Sequence, residues 1–304
     1  MYKLTKNKIQ AFILMLIMCV TLCACQEFGD YLESDLSSDK LNQDDGKLVS
    51  HFIDVGQGDS EFIELPGGKC ILIDAGDNEH GQKVVDYIKD LGYEKIDYLI
   101  ATHPHSDHIG GMRKVVNAFE LEKIYMPKAE TNTYTYEKLL KAIKNKGKKI
   151  TTARSGMNMI DDKDHDLKAD ILAPAGSNYE SLNNYSVVLR LSYKKNTFLY
   201  MGDAELLSEN QIIKKGYDLS ADVVKVGHHC SSSSSGQGFI DKTGAKYAVI
   251  SLAKDNDYHH PHKQPLNRWK KSGAEILRTD QKGTITIEST GQDLKVTTEK
   301  GNSK

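Results

Sequence analysis

A chain of 304 residues, in which 40 basic residues face 42 acidic ones and 39% of positions are apolar, has the length and balance of one large α/β domain or two small ones. Its net charge of −2 excludes a protein drawn to nucleic acid by bulk positive charge. Cys19, Cys23 and Cys25 crowd into the N-terminal segment, leaving only Cys70 and Cys230 beyond it, which excludes a disulfide framework.

Taken in chain order, Lys3, Lys6 and Lys8 precede an apolar run from Ala11 to Val20, the layout of a secretory signal. The run is shorter than the roughly 20 apolar residues of a comfortable spanning helix. It ends in Leu22-Cys23-Ala24-Cys25-Gln26, which resembles a bacterial lipoprotein processing box with Cys25 as the acylated residue, although Cys23 stands where a smaller residue is usual. The expectation is a signal peptide over 1–25 and an extracytoplasmic protein held to the membrane by a lipid on Cys25; a cleaved secretory signal or an uncleaved anchor are the alternatives. Residues 26–46, rich in Asp, Glu, Ser and Asn, read as a disordered tether.

One domain is expected over 47–304. Its opening strands are Leu48 to Asp54, Ser60 to Leu65 and Cys70 to Asp74, the last two joined by a Pro66-Gly67-Gly68-Lys69 turn. A helix near Gln82 to Leu91 leads to a buried strand from Ile96 to Thr102. Later strands fall at Ala169 to Ala173, Ser186 to Ser192, Thr197 to Met201, Asp222 to Val226, Tyr247 to Leu252 and Glu275 to Arg278, and Gly283 to Glu288 with Leu294 to Thr298 reads as a closing hairpin. Apolar strand faces must be covered by another layer, so the pattern predicts sheet packed on sheet with helices outside, a four-layer αββα sandwich.

Directly after the buried strand, Thr102-His103-Pro104-His105-Ser106-Asp107-His108 gathers three imidazoles and a carboxylate within six positions. Imidazole nitrogen and carboxylate oxygen are the donors that bind zinc or a similar ion, whereas a solvated loop has no use for such density. Pro104 restricts the loop and Gly110-Gly111 lets the chain turn tightly beneath it.

These residues, together with Phe52 to Ser60, Ile71 to Gly76, Ser186 to Leu191, Gly202-Asp203-Ala204-Glu205, Lys225-Val226-Gly227-His228-His229 and His260-Pro261-His262, resemble the metallo-β-lactamase superfamily. Within it they resemble the extracytoplasmic hydrolase domain of the competence DNA-uptake family. No stretch here resembles the membrane channel of that family, so uptake itself is not part of the expectation. The resemblance implies two divalent transition-metal ions, zinc or manganese. His103 and His105 would serve one, Asp107 and His108 the second, with Asp107 also counted as catalytic, and Asp203 would bridge them. An Asp at 203, where the lactamases use Cys, favours ester or phosphodiester hydrolysis. Asn183-Asn184-Tyr185-Ser186 occupies the place of a third histidine, leaving the first ion an open or weak position. By analogy with the tRNA 3′-processing nucleases, His260 would complete the second ion's site and His228 would donate a proton. His229 is left as a loop residue or a further participant. Asp74 would stand behind the histidine loop and orient a ligand through a hydrogen bond, with a turn or cap role as the alternative. Asp54 and Asp59 flank a tight Gly56-Gln57-Gly58 loop near the site.

The basic run from Lys138 to Arg154 would steer an anionic polymer or form a solvated helix face. Ser231 to Ser235 would offer amides and hydroxyls to phosphate, or serve as an unliganded loop. The expected function is an exported metal-dependent phosphodiesterase acting on DNA, with a cell-envelope phosphate-ester hydrolase and a non-catalytic metal-binding lipoprotein as rivals. No obligate protein partner is inferred. Replacing Cys25 by Ala is expected to release the protein from membranes or block its processing, read by fractionation and intact mass; unchanged partition with unchanged mass would refute lipid anchoring.

Overall fold

The computed structural model describes residues 46–301, so the expected signal segment, Cys25 and the tether up to position 45 lie outside the described residues. The first half runs β1 (Leu48–Phe52), β2 (Glu61–Glu64), β3 (Cys70–Ile73), α1 (Gly81–Asp90), β4 (Lys95–Ile100), α2 (Ser106–Ile109), α3 (Met112–Ala118), β5 (Glu120–Met126), α4 (Tyr134–Asn145) and β6 (Ile150–Thr152). The second half runs β7 (Met157–Asp162), β8 (Leu167–Ala173), β9 (Val188–Tyr193), β10 (Asn196–Tyr200), α5 (Leu206–Lys214), β11 (Val223–Lys225), α6 (Gln237–Thr243), β12 (Tyr247–Ile250), α7 (Lys263–Lys271), β13 (Glu275–Arg278) and the short α8 (Thr279–Lys282). The hairpin β14 (Ile285–Ser289) and β15 (Leu294–Thr298) then returns to the first sheet, where β14 pairs antiparallel with β1.

One sheet has the order β15-β14-β1-β2-β3-β4-β5-β6 and the other β13-β12-β11-β10-β9-β8-β7. Strand side chains alternate between faces, and that period builds the layers. Ile63, Ile71 and Ile73 point inward to meet Leu189, Leu191 and Phe198 of the other sheet, while Phe62, Cys70 and Leu72 point outward to α1 and α3. α1 answers with Val84, Val85 and Ile88 at helical spacing, and α4 with Leu139, Ala142 and Ile143. Behind the second sheet, Val224, Ala248 and Ile250 pack with Phe239, Ile240 and Trp269 of α6 and α7. The expected four-layer αββα sandwich is the observed one.

Both sheets contain a parallel stretch, β3-β4-β5-β6 in the first and β10-β11-β12-β13 in the second. Parallel neighbours need crossover segments, which the helices supply, and the carboxyl ends of the strands then release loops at one edge. Asp74, the histidine motif, Asp203, His228, His229 and His260 all follow such strand ends. The expected strand limits differ by a residue or two, and β5, β6 and β7 were not anticipated.

The turn after β1 is locked to the histidine loop. Gly58 has φ +143°, and a Cβ there would lie 2.2 Å from the carbonyl oxygen of Asp107. Gly68 also has positive φ, yet a Cβ there meets nothing within 4 Å. Gly68→Ala is therefore expected to cost only about 1 kcal/mol of backbone strain. Gly58→Ala adds a backbone clash and should cost roughly 2–5 kcal/mol in all. Equal losses in denaturant unfolding would show that the approach to Asp107 carries no energetic weight.

Candidate metal centre

Asp74 follows β3 and is wholly buried. Its carboxylate accepts the Thr102 amide at 2.8 Å, the Thr102 hydroxyl at 2.5 Å and Nδ1–H of His108 at 2.8 Å, joining the ends of β3 and β4 to the histidine loop. With Nδ1 committed to a carboxylate, His108 turns Nε2 toward the cavity. The pKa of Asp74 itself is pushed up by burial, against the pull of His108.

His103 places Nε2 3.0 Å from Nδ1 of His105 and 3.7 Å from Oδ2 of Asp203. Asp203 follows β10, its amide held by Ser186 Oγ at 3.0 Å. Its Oδ2 is 3.3 Å from His108 Nε2, and its Oδ1 is 3.5 Å from His229 Nε2. Asp107 Oδ2 closes the ring at 3.7 Å from His108 Nε2 and 3.4 Å from His229 Nε2. Ligands about 2.0–2.2 Å from one ion at tetrahedral angles stand about 3.3–3.6 Å apart, so these spacings suit shared coordination.

Two donor groups result, His103-His105-Asp203 and Asp107-His108-Asp203-His229, each with its atoms within 4.8 Å of one another. Asp203 belongs to both. His108 Nε2, His229 Nε2 and Asp203 Oδ1 are buried and make no hydrogen bond. Three such orphaned atoms converging on one cavity would each cost about 1–3 kcal/mol, a penalty that metal coordination removes. The donor set fits two divalent transition-metal ions.

The charges agree. Burial opposes an imidazolium at His108, yet Asp203, Asp107 and Asp74 outweigh it and hold its pKa well above the ordinary value. Burial likewise opposes ionisation of Asp203, but His108 and His229 keep its pKa well below the usual carboxylate range. The carboxylates thus demand positive charge between them, and a divalent ion meets that demand more fully than a proton. Burial keeps His103 well below its usual pKa, leaving a neutral imidazole suited to ligation.

The sequence expectation for the second group needs correcting at one position. His229, not His260, completes it, and His260 stands on the cleft wall with its ring centre 6.0 Å from that of His229. Strand order points to a loop but says nothing of how the turn rotates. Here His228, His229 and Cys230 all have positive φ, at 48°, 49° and 65°, and the run turns His229 inward. Its Nδ1–H donates to Ser251 O at 2.8 Å, which aims Nε2 at Asp107 and Asp203. His228 is 22% exposed on the cleft wall, with Nδ1 2.9 Å from Ser233 Oγ and Nε2 3.8 Å from Asp203. Burial lowers its pKa, and burial with His229 and His228 nearby takes that of His260 down to about 4. Asn183 and Asn184 stand where a third histidine was missed, and both donate to Glu205, at 3.2 and 2.7 Å.

For two other segments the structure favours the plainer of the alternatives the sequence left open. The amides of Ser231 to Gly236 are spent inside the protein, on His228 O, His262 Nδ1, Ser231 and Glu209, so this loop is no phosphate cradle. None of the basic residues from Lys138 to Arg154 lines the cleft of about 310 Å³ beside the donors, and Lys146 caps carbonyls of Val116 and Phe119. Burial pushes the Cys230 thiol up to about 12, removing it as a nucleophile. Lys225, named in the sequence only as part of the stretch leading to His228, was assigned no role there. It lies wholly buried 2.7 Å from Asp59, and its only signal was a lone charge ending an apolar strand.

Residues 53–254 match the family model described as the metallo-beta-lactamase superfamily. Curated relatives include ComE operon protein 3 of Bacillus subtilis (34% identical over 250 residues, 77% of this chain and 32% of that protein) and competence protein ComA of Neisseria gonorrhoeae (28% over 234 residues, 76% and 31%). The chain spans about a third of the length of these relatives. Solved structures sharing the fold include CmlA, a diiron beta-hydroxylase from Streptomyces venezuelae (TM-score 0.55, 13% identity, 80% of this chain and 54% of that one), and the metallo-beta-lactamase fold protein YhfI from Bacillus subtilis (TM-score 0.53, 14% identity, 80% and 100%).

Metal analysis separates the histidines. After loading with zinc or manganese, His229→Ala is expected to lose one ion per chain, His260→Ala to keep the wild-type content, and Asp203→Ala to lose most of both because it serves each group. Retention of both ions by His229→Ala with loss by His260→Ala would restore the order expected from the sequence.

Proposed function

Because the chain belongs to the metallo-β-lactamase superfamily, we propose that it is a metal-dependent hydrolase of phosphodiesters with DNA outside the cytoplasm as its substrate. The observation that carries this reading is the composition of the donor set: imidazoles and carboxylates only, with one carboxylate, Asp203, shared by both groups. Held by these residues, a pair of divalent ions would supply Lewis acidity, making water a stronger nucleophile near neutral pH and offsetting the charge that develops on a phosphodiester. The resemblance to the competence DNA-uptake family, in keeping with the competence protein among the relatives, favours DNA, and the charged, then apolar, then cysteine-containing N-terminus favours export and lipid anchoring.

The remaining chemistry belongs to the chain's own side chains. Asp74 and Ser251 O fix the tautomers of His108 and His229, so that each presents Nε2 to the cavity. Burial opposes ionisation of Asp107, but the imidazoles of His108 and His229 keep its pKa well below the usual carboxylate range, so it stays ionised and is suited to ligation or to orienting the attacking water rather than to taking its proton. His228, facing the cleft and held through Ser233, is the side chain placed to protonate the departing oxygen once an anionic phosphodiester in the cleft offsets the burial that lowers its pKa.

Metal-loaded protein is expected to cleave single-stranded DNA and a nitrophenyl phosphodiester, with both activities abolished by chelation. His228→Ala should keep its metal yet lose roughly 10²–10⁴-fold on DNA and much less on the nitrophenyl ester, whose leaving group needs little protonation. Inactivity toward both substrates at full metal loading would overturn the reading, and equal defects on both would remove His228 as the acid.

A further inference from the structure

Among the described residues, the large apolar or aromatic side chains left exposed are Tyr134, Ile150, Leu206, Leu207 and Tyr258. Of these, Tyr258 alone lines the cleft beside the donor groups, and it is 61% exposed. Its ring lies nearly parallel to that of His260, centres 5.7 Å apart and planes 18° apart, and His260 in turn lies over His229 at 6.0 Å and 28°. A file of near-parallel rings therefore runs from the donor cluster to the rim, ending in an aromatic face open to water. The seat is rigid. The Asn256 side chain accepts from His260 N at 2.9 Å and donates to His260 O at 2.8 Å and Ala253 O at 3.0 Å, so the segment carrying Tyr258 is set before anything binds.

We propose that the open face of Tyr258, backed by His260, is a stacking seat for the nucleobase beside the scissile phosphodiester. This rests on the phosphodiesterase reading above. Stacking on an aromatic ring accepts any base, because every base has a π-face, and needs no hydrogen-bond readout. It requires a base free of its own duplex neighbours, so the cleft takes single-stranded nucleic acid. A quaternary ammonium, as in a choline phosphoester, is held by rings that enclose it as a cage, whereas this file presents one flat surface.

The test is a cycle of two substrates and three proteins, all metal-loaded and full length: an oligothymidylate and an oligonucleotide of equal length made wholly of abasic residues, against wild type, Tyr258→Ala and Tyr258→Trp. Wild type should show a kcat/KM roughly 5- to 100-fold higher on the oligothymidylate than on the abasic strand. Tyr258→Ala should bring that ratio close to unity, and Tyr258→Trp should preserve it. A wild-type ratio near unity, or a ratio unmoved by Tyr258→Ala, overturns the seat while leaving the phosphodiesterase reading intact. With nitrophenyl phosphocholine assayed alongside as a control outside the cycle, a loss by Tyr258→Ala confined to that control overturns the seat in favour of a cation site. Cleavage of no phosphodiester by the wild type overturns the reading on which the seat rests, and the seat with it.

Discussion

Directly beneath the donor cluster, the ammonium of Lys225 meets the carboxylate of Asp59 at 2.7 Å, with both side chains almost entirely withdrawn from water. Lys225 ends β11 in one sheet, and Asp59 lies in the turn leaving β1 in the other, so the pair couples the two layers where each contributes half of the site. From Asp59 the backbone continues the link, its amide donating to Asp107 O at 3.2 Å and its carbonyl accepting Gly76 N at 2.8 Å. From Lys225 the chain runs straight into His228 and His229. A buried pair of this kind adds little net stability over an apolar substitute, but losing one member leaves an unpaired charge at a cost of about 3–5 kcal/mol. Its value here is registry. Glu61 sits in the same cluster, and burial followed by repulsion from Asp59 raises its pKa well above the usual range, which spares the pair a competing negative charge.

The turn that presents His229 is held against its own preferences. Residues held in sparsely populated backbone regions cost of order 1–3 kcal/mol each, and His228, His229 and Cys230 follow one another there without a glycine. What restrains them is a dense set of bonds: Ser234 Oγ to Gly227 O at 2.7 Å, Ser231 N to His228 O at 2.7 Å and His262 N to Cys230 O at 3.0 Å. The serine run, which composition alone would make a flexible loop, is the brace for this turn. Trp269 and Glu209 complete it by bonding Ser235.

Much of this was legible beforehand because the signals were local. Alternating strands, the histidine loop after an apolar strand and Asp74 at the end of another can each be read from a few neighbours. What escaped depended on partners distant in sequence or on backbone rotation. β6 is three exposed residues with no alternation, made a strand only by pairing with β5. β7 ends in Asp161-Asp162 and reads as a loop until β8 pairs with it. His229 and His260 were separable only once the left-handed turn was known, and Lys225 became meaningful only when Asp59, 166 positions away, was seen beside it.

The two cysteines of the described domain lie in different outer layers, Cys70 with α1 and α3 behind one sheet and Cys230 with α6 and α7 behind the other. Burial holds both thiols at about 12, so almost no thiolate is available to oxidants or alkylating reagents while the layers stay closed. Each becomes reactive only when its own half of the sandwich opens. The chain thus carries a native reporter in each half, and the relative labelling rates of Cys70 and Cys230 read out which half breathes first and whether the two halves open together.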